Sequence, residues 1–279
     1  MATYSINYNG LTIDGTSGFK VVGLQGVHGM EIQSDSQPLP GLDGGNIFQQ
    51  NYNMRNIGID GQIFALDPST YFTNIRALVK AFTKQNNALP LTIQMWDGTS
   101  KIIFCKVSIT PLIPEIKGRV TYNDFRIELI AENPFFQDIN PQIFTTNLAL
   151  SGGFAIPFKL SFAIGGTTNN QFSINNVGDE TGYPEFFLYG PLVNPSIQNI
   201  TTGQSLTINT IINTGDYVHI FLSQKGLFIL LNDSTSYYPY YNGSYFGLVN
   251  GMNVIKFTSS SYNSIGYLKT KYVNYYDQV

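Results

Sequence analysis

Residues 55–65 alternate strictly, with Ile57, Ile59 and Ile63 on one face and Asn56, Asp60 and Gln62 on the other, which is the period of a half-buried strand. The glycines of this run, Gly58 and Gly61, indicate a bulge or the close approach of another backbone. Residues 125–131 alternate in the same way, and residues 154–164 place a large apolar side chain at every even position, with Pro157 pointing to an edge strand or bulge. One stretch follows the helical period instead. Asp67 offers an N-cap and Pro68 a first helical residue; Phe72, Ile75, Leu78, Val79 and Phe82 then form a stripe that ends near Lys80 and Lys84. Such a helix, of about four turns, must lie on a sheet to bury its stripe.

After Glu132 and Asn133 the composition changes. Residues 139–153 are dominated by Asn, Pro, Gln, Thr, Ser and Gly, and no helix signal follows them. Beyond lie short strand signals at 171–177, 185–189, 205–211, 216–222, 227–231 and 253–258, bounded by turns such as Thr214-Gly215-Asp216, Gln224-Lys225-Gly226, Asn242-Gly243-Ser244 and Asn250-Gly251. That rhythm predicts a β-sandwich or barrel. The expected fold class is therefore mainly β: residues 1–138 form a sandwich or barrel-like domain with one α-helix, and residues 139–279 form a second β-sandwich. A length of 279 residues suits two domains with real cores.

Charged residues make up only 12% of the chain, against roughly 25% in an average soluble domain. Much of the surface must then be uncharged polar and aromatic, which suits permanent protein contacts. A net charge of -3, with arginines at positions 55, 76, 119 and 126 alone, argues against a nucleic-acid partner; Lys269 and Lys271 are too small a basic cluster. The single cysteine, Cys105, lies in an apolar run and is expected to be a buried strand residue, so folding needs no oxidising compartment. The N-terminal residues carry neither a basic nor an apolar leader pattern, and no apolar run approaches membrane-helix length, so no membrane association is expected.

Candidate chemistry is sparse. Of the two histidines, His28 and His219, the latter alternates with apolar neighbours and reads as a strand residue with a satisfied ring, not a metal ligand. No zinc-protease helix, phosphate-cradling loop or serine elbow is present, and the glycine-rich residues 41–46 follow Pro38 and Pro40 without opening a helix. Carboxylates such as Asp60, Asp124, Glu128, Asp179, Glu180 and Glu185 read as solvated or turn acids. No catalytic residue, metal or cofactor is expected. A possible glycan or protein contact is the loop carrying Tyr237, Tyr238, Tyr240, Tyr241 and Tyr245, which concentrates aromatic faces beside amides; its alternative is an interface or self-packed loop. Trp96, before the turn at Asp97-Gly98, is expected to be a partly buried strand end.

The order of these features resembles the siphophage distal tail proteins: the run 55–63, the helix around Tyr71–Leu78, the Glu132-Asn133-Pro134-Phe135-Phe136 close of the first domain, Phe154–Phe158, then 182–199, 215–220 and 248–257. The resemblance spans nearly the whole chain. It implies a non-enzymatic hub: a first domain forming a hexameric ring that continues the tail tube, and a galectin-like second sandwich supporting adhesion parts. Implied partners are sibling copies, the tail tube protein, the tail-tip hub or tail-associated lysin, and receptor-binding proteins, with DNA passing through the lumen unbound. The implied place is the virion tail tip, after synthesis in the bacterial cytoplasm. A ring of heterologous contacts needs complementary faces, and strand edges or arms serve for this. The segment from Ser34 to Phe48, including Pro38, Leu39, Pro40, Gly41, Leu42, Asp43, Ile47 and Phe48, is the candidate arm; its alternative is an ordinary surface loop. A free-standing module for cell-wall polysaccharide is the competing reading.

Overall fold

The computed structural model describes residues 4–41, 43–114, 121–148, 170–223, 225–260 and 265–279. They fall into two compact units, one running up to Ile139 and including Tyr275–Val279, the other Asn140–Asn274. The last five residues thus lie with the first unit, whereas the sequence reading kept all of 139–279 together.

In the first unit the strands are β1 (Ser5–Tyr8), β2 (Leu11–Ile13), β3 (Phe19–Gln25), β4 (Ile32–Pro38), β5 (Gly45–Tyr52), β6 (Arg55–Phe64), β7 (Leu89–Gln94), β8 (Ser100–Leu112), β9 (Tyr122–Ala131) and β10 (Phe136–Asp138). All but β4 and β5 join one antiparallel sheet in the order β2-β1-β7-β8-β9-β6-β3, with β10 alongside β8 and the strand Tyr275–Tyr276 alongside β10. β8 pairs with β7 through Ser100–Cys105 and with β9 from Lys106 onward. Both halves of the sheet feed a single core: Ile6, Tyr8, Leu91, Ile93 and Ile103 from one, Ile57, Ile59, Ile63, Phe125 and Ile127 from the other. The alternation in 55–65 and 125–131 is what places these side chains inward. Cys105 is buried with them, and burial pushes its thiol up to about 12.

Helix α1 (Pro68–Ala81) begins where the sequence indicates: the Asp67 carboxylate accepts the Thr70 backbone N–H at 2.9 Å and its hydroxyl at 2.6 Å. The buried stripe, however, is Tyr71, Leu78, Ala81 and the C-cap Phe82, with Ile75 partly buried, while Phe72 and Val79 are exposed. Ile75, Leu78 and Phe82 of the expected stripe face the core, while the adjacent apolar pairs 71/72 and 78/79 leave the period alone unable to choose Tyr71 over Phe72 or to exclude Val79. Tyr71 goes in, and Phe82 stacks on Tyr8 at 4.9 Å.

In the second unit the strands are β11 (Gln142–Asn147), β12 (Gln171–Asn176), β13 (Glu185–Tyr189), β14 (Leu192–Val193), β15 (Ser196–Asn199), β16 (Ser205–Ile208), β17 (Ile211–Ile212), β18 (Tyr217–Ser223), β19 (Gly226–Leu231), β20 (Thr235–Ser236), β21 (Tyr241–Gly243), β22 (Gly251–Thr258) and β23 (Tyr267–Tyr272). Two antiparallel sheets, β11-β23-β13-β18-β19-β20 and β12-β22-β15-β16-β21, share one core. Phe186, Leu188, Val218, Ile220 and Leu268 come from the first sheet, and Ile174, Ile197, Leu206, Ile255 and Phe257 from the second. This is a sandwich. Its edge strand β11 lies within residues 139–153, the stretch where the composition changes after the first domain. The strand expected at 154–164, with Pro157, lies outside the described residues, as do Leu42 and Gln224.

The terminal strand β24 (Tyr275–Tyr276) pairs with β10, setting Phe136 opposite Tyr276. Two cations hold the surrounding chain. Lys101 bonds Asp138 at 2.7 Å with its ammonium over the Tyr276 ring. The buried Arg55 donates to the Gly26 and Asp277 carbonyls at 2.8 and 2.6 Å and lies over Phe136. Burial lowers its pKa to about 10 against the opposing pull of the Asp277 carboxylate, so it stays charged at neutral pH. Gly26 has no substitute: its φ is +75°, and a Cβ would stand 1.9 Å from the Asn56 carbonyl oxygen.

Candidate assembly interface

The segment read as an arm or surface loop is a β-hairpin. β4 and β5 pair only with each other, from Ile32 opposite Tyr52 to Pro38 opposite Gly45. The Leu39 N–H donates to the Gly44 carbonyl at 3.2 Å across the tip, where Gly41 and Gly44 take positive φ. Pro38 thus ends β4, Leu39, Pro40, Gly41 and Asp43 belong to the tip, and Ile47 and Phe48 lie on β5. Strands of this length reach roughly 25 Å. At the base, Tyr52 packs edge-on against Phe135, which meets Tyr275 likewise, and the Asn53 N–H donates to the Glu31 carbonyl.

Every residue of both strands is exposed. Ile47 and Phe48 are 62% and 64% accessible, so their apolar surface is unburied in their own chain. A bulge falls between the pairs Asp35–Gln49 and Ser36–Ile47, leaving Phe48 without a cross-strand partner. Bulges of this kind re-aim a side chain.

A second apolar surface lies in the same unit. An open cavity of about 620 Å³ is lined by Val22, Leu112, Ile113, Pro114 and Phe125, with Asp60, Asp124 and Arg126 adding charge. Arg126 is engaged by Glu128 at 3.1 Å and Asp60 at 3.6 Å, and Gln62 bonds Asp124 at 3.1 Å. Val22 is itself the extra residue of a bulge on β3, the last strand of the sheet.

In the second unit the predicted tyrosine loop contains a 3-10 turn at Tyr238–Tyr240. Tyr237, Tyr241 and Tyr245 pack against the core, and the Tyr245 hydroxyl donates to the Pro184 carbonyl. Tyr238 and Tyr240 are exposed. Trp96, expected to be partly buried, is 70% accessible; it precedes a turn in which the Asp97 carboxylate accepts the Thr99 N–H and hydroxyl at 2.9 and 2.7 Å.

An aromatic face escaped the sequence reading. On the outer side of the six-stranded sheet, Phe187 stacks on His219 at 4.0 Å, His219 lies 4.4 Å from Phe221, and Tyr189 stacks on Tyr267 at 4.6 Å. The signal was present: Phe187, Tyr189, Tyr217, His219 and Phe221 occupy the alternate positions where an outward face is usually polar. The His219 ring, expected to be satisfied, is so on one side only: Nδ1 lies 2.7 Å from Asp233, while the buried Nε2, 3.5 Å from Glu185, falls outside hydrogen-bond geometry; Glu185 also meets Lys271 at 3.1 Å. The contact with His219, with Lys271 second, holds the Glu185 carboxyl below its ordinary value despite burial. A depressed folded pKa means that this contribution is present above the unfolded value, near 4.3, and is lost as pH falls through the lower folded value. Glu185→Gln is accordingly expected to flatten the acid limb of the second unit's thermal stability below about pH 5; an acid limb as steep as the parent's would refute the assignment.

Among the described residues no group of three or more His, Cys, Asp or Glu is arranged to hold a metal, and no helix is long and apolar enough to cross a membrane. No family model and no curated protein matches the chain. Among solved structures, the SPP1 Dit (gp 19.1) protein, described as a paradigm of the hub adsorption apparatus in phages infecting Gram-positive bacteria, is 14% identical, with a TM-score of 0.67 over 98% of each chain. A chain of the phage P2 baseplate in its activated conformation with calcium gives 11% identity and a TM-score of 0.49 over 99% of each. Over nearly its whole length the chain thus has the fold of the SPP1 Dit protein.

Proposed function

We propose that this protein is a structural, non-catalytic hub of a phage tail tip, whose copies close into a hexameric ring continuing the tail tube. The observation that carries the reading is the full-length likeness to the SPP1 hub protein, both units included. The β4–β5 hairpin supports it as the arm of the ring contact, because it presents unburied apolar side chains and open strand edges to another chain. In this reading the second unit supports receptor-binding proteins, the first meets the tube protein and the tail-tip lysin, and DNA crosses the lumen without being gripped.

Light scattering on the purified protein, alone and with its tail neighbours, is expected to give six times the 31.0 kDa chain mass, with a six-fold ring in negative stain. A monomer in every tail context would refute the ring. For polysaccharide binding the loop offers Tyr238 and Tyr240 as its open rings; calorimetric titration with host wall polysaccharide is expected to show no heat.

A further inference from the structure

We infer that the ring contact, taken as proposed above, is a knob-in-hole joint in which Ile47 and Phe48 of one copy seat in the Val22–Leu112–Phe125 cavity of the next. Both members are on one chain. The knob is an apolar pair on a hairpin that buries neither residue within its own subunit. The hole is an open apolar cavity of about 620 Å³. That volume falls within the range of roughly 300 to 1,000 Å³ of sites that enclose a drug-sized apolar group, ample for one aromatic and one branched side chain.

Local backbone geometry supports the pairing. At each member a bulge turns an apolar side chain out of its ladder: Phe48 on β5 and Val22 on β3. Val22 and Leu112 are 60% and 55% accessible, an exposure that a neighbour's side chain would end. β3 is also the terminal strand of the sheet order, so an approaching hairpin meets an open edge beside the cavity. Knob and hole occupy different surfaces of one subunit, which makes the contact heterologous, the kind that closes a ring when the rotation between neighbours is right. A hairpin-to-hairpin contact would instead be self-complementary and stop at a dimer.

The test is cross-linking in samples whose ring mass light scattering has established, alone or with tail partners. Phe48→Cys/Leu112→Cys, treated with a short bis-maleimide, is expected to give a denaturing-gel ladder rising to the full ring. Each single variant, and Phe48→Cys/Trp96→Cys as a control pair whose second member is exposed and outside the cavity lining, is expected to stay at the monomer. Cys105 is buried with its thiol pKa raised to about 12, so it contributes no background. A ring of normal mass without the ladder, an equal ladder from the control pair, or dimers from Phe48→Cys alone would each overturn the joint while leaving the ring standing. Protein that is monomeric in every context would overturn both.

Discussion

Leu78→Asp is expected to leave the first unit unfolded, with loss of its cooperative thermal transition and no assembly. Leu78 is fully buried in the core beneath helix α1. An unpaired carboxylate there costs several kcal/mol, a large share of the roughly 5–15 kcal/mol by which a domain is stable. The neighbouring exposed position supplies the control. Val79→Asp is expected to change stability by no more than about 0.5 kcal/mol, because that side chain already faces solvent. Circular dichroism melts of the two proteins measure the contrast directly, and two equal melts would show the helix to be turned the wrong way.

Replacing residues 33–51 with a short Gly-Ser link is expected to have the opposite profile: a folded protein with nearly the parent melting temperature that no longer assembles. Ile32 and Tyr52 stand opposite each other at the hairpin base, so a tight turn can join them without moving the sheet. The removed strands bury no side chain in their own unit, and shortening a surface loop changes the closure entropy by only about 1 kcal/mol or less. What is lost is the arm. Ring mass retained by the shortened protein would place the subunit contact elsewhere.

These contrasts follow the line between what the sequence makes legible and what it hides. Strands β6 and β9 were readable because one face of each is buried, and burial imposes the alternation that periodicity detects. The hairpin β4–β5 obeys no such constraint. Exposed on both faces, it is free to be mostly Gln, Asn, Ser and Asp, so its proline- and glycine-rich tip and the apolar Ile47 and Phe48 stood out where the strands themselves did not. β11 was hidden for a related reason, since only Ile143 and Phe144 break the Gln, Thr and Asn of this edge strand, too few to show a period. The aromatic outer face of the second sandwich failed differently. Its alternation is real, but both faces are apolar, and the period alone does not tell inside from outside. Tyr71 and Phe72 pose the same problem within a helix. Fold class and helix position were thus within reach of the sequence, while the cavity beside Val22 was not, because its walls come from four strands whose order only the sheet defines.

The pairing of β24 with β10 has a topological consequence. Asn140–Asn274 leave the first unit directly after β10 and re-enter directly before β24, so the sandwich is spliced into its host by two adjacent strands instead of trailing from one. Clipping the last five residues would release one of these two attachments and strip the host of the Asp277 carbonyl that Arg55 grips, even though the clipped residues follow the sandwich in the chain.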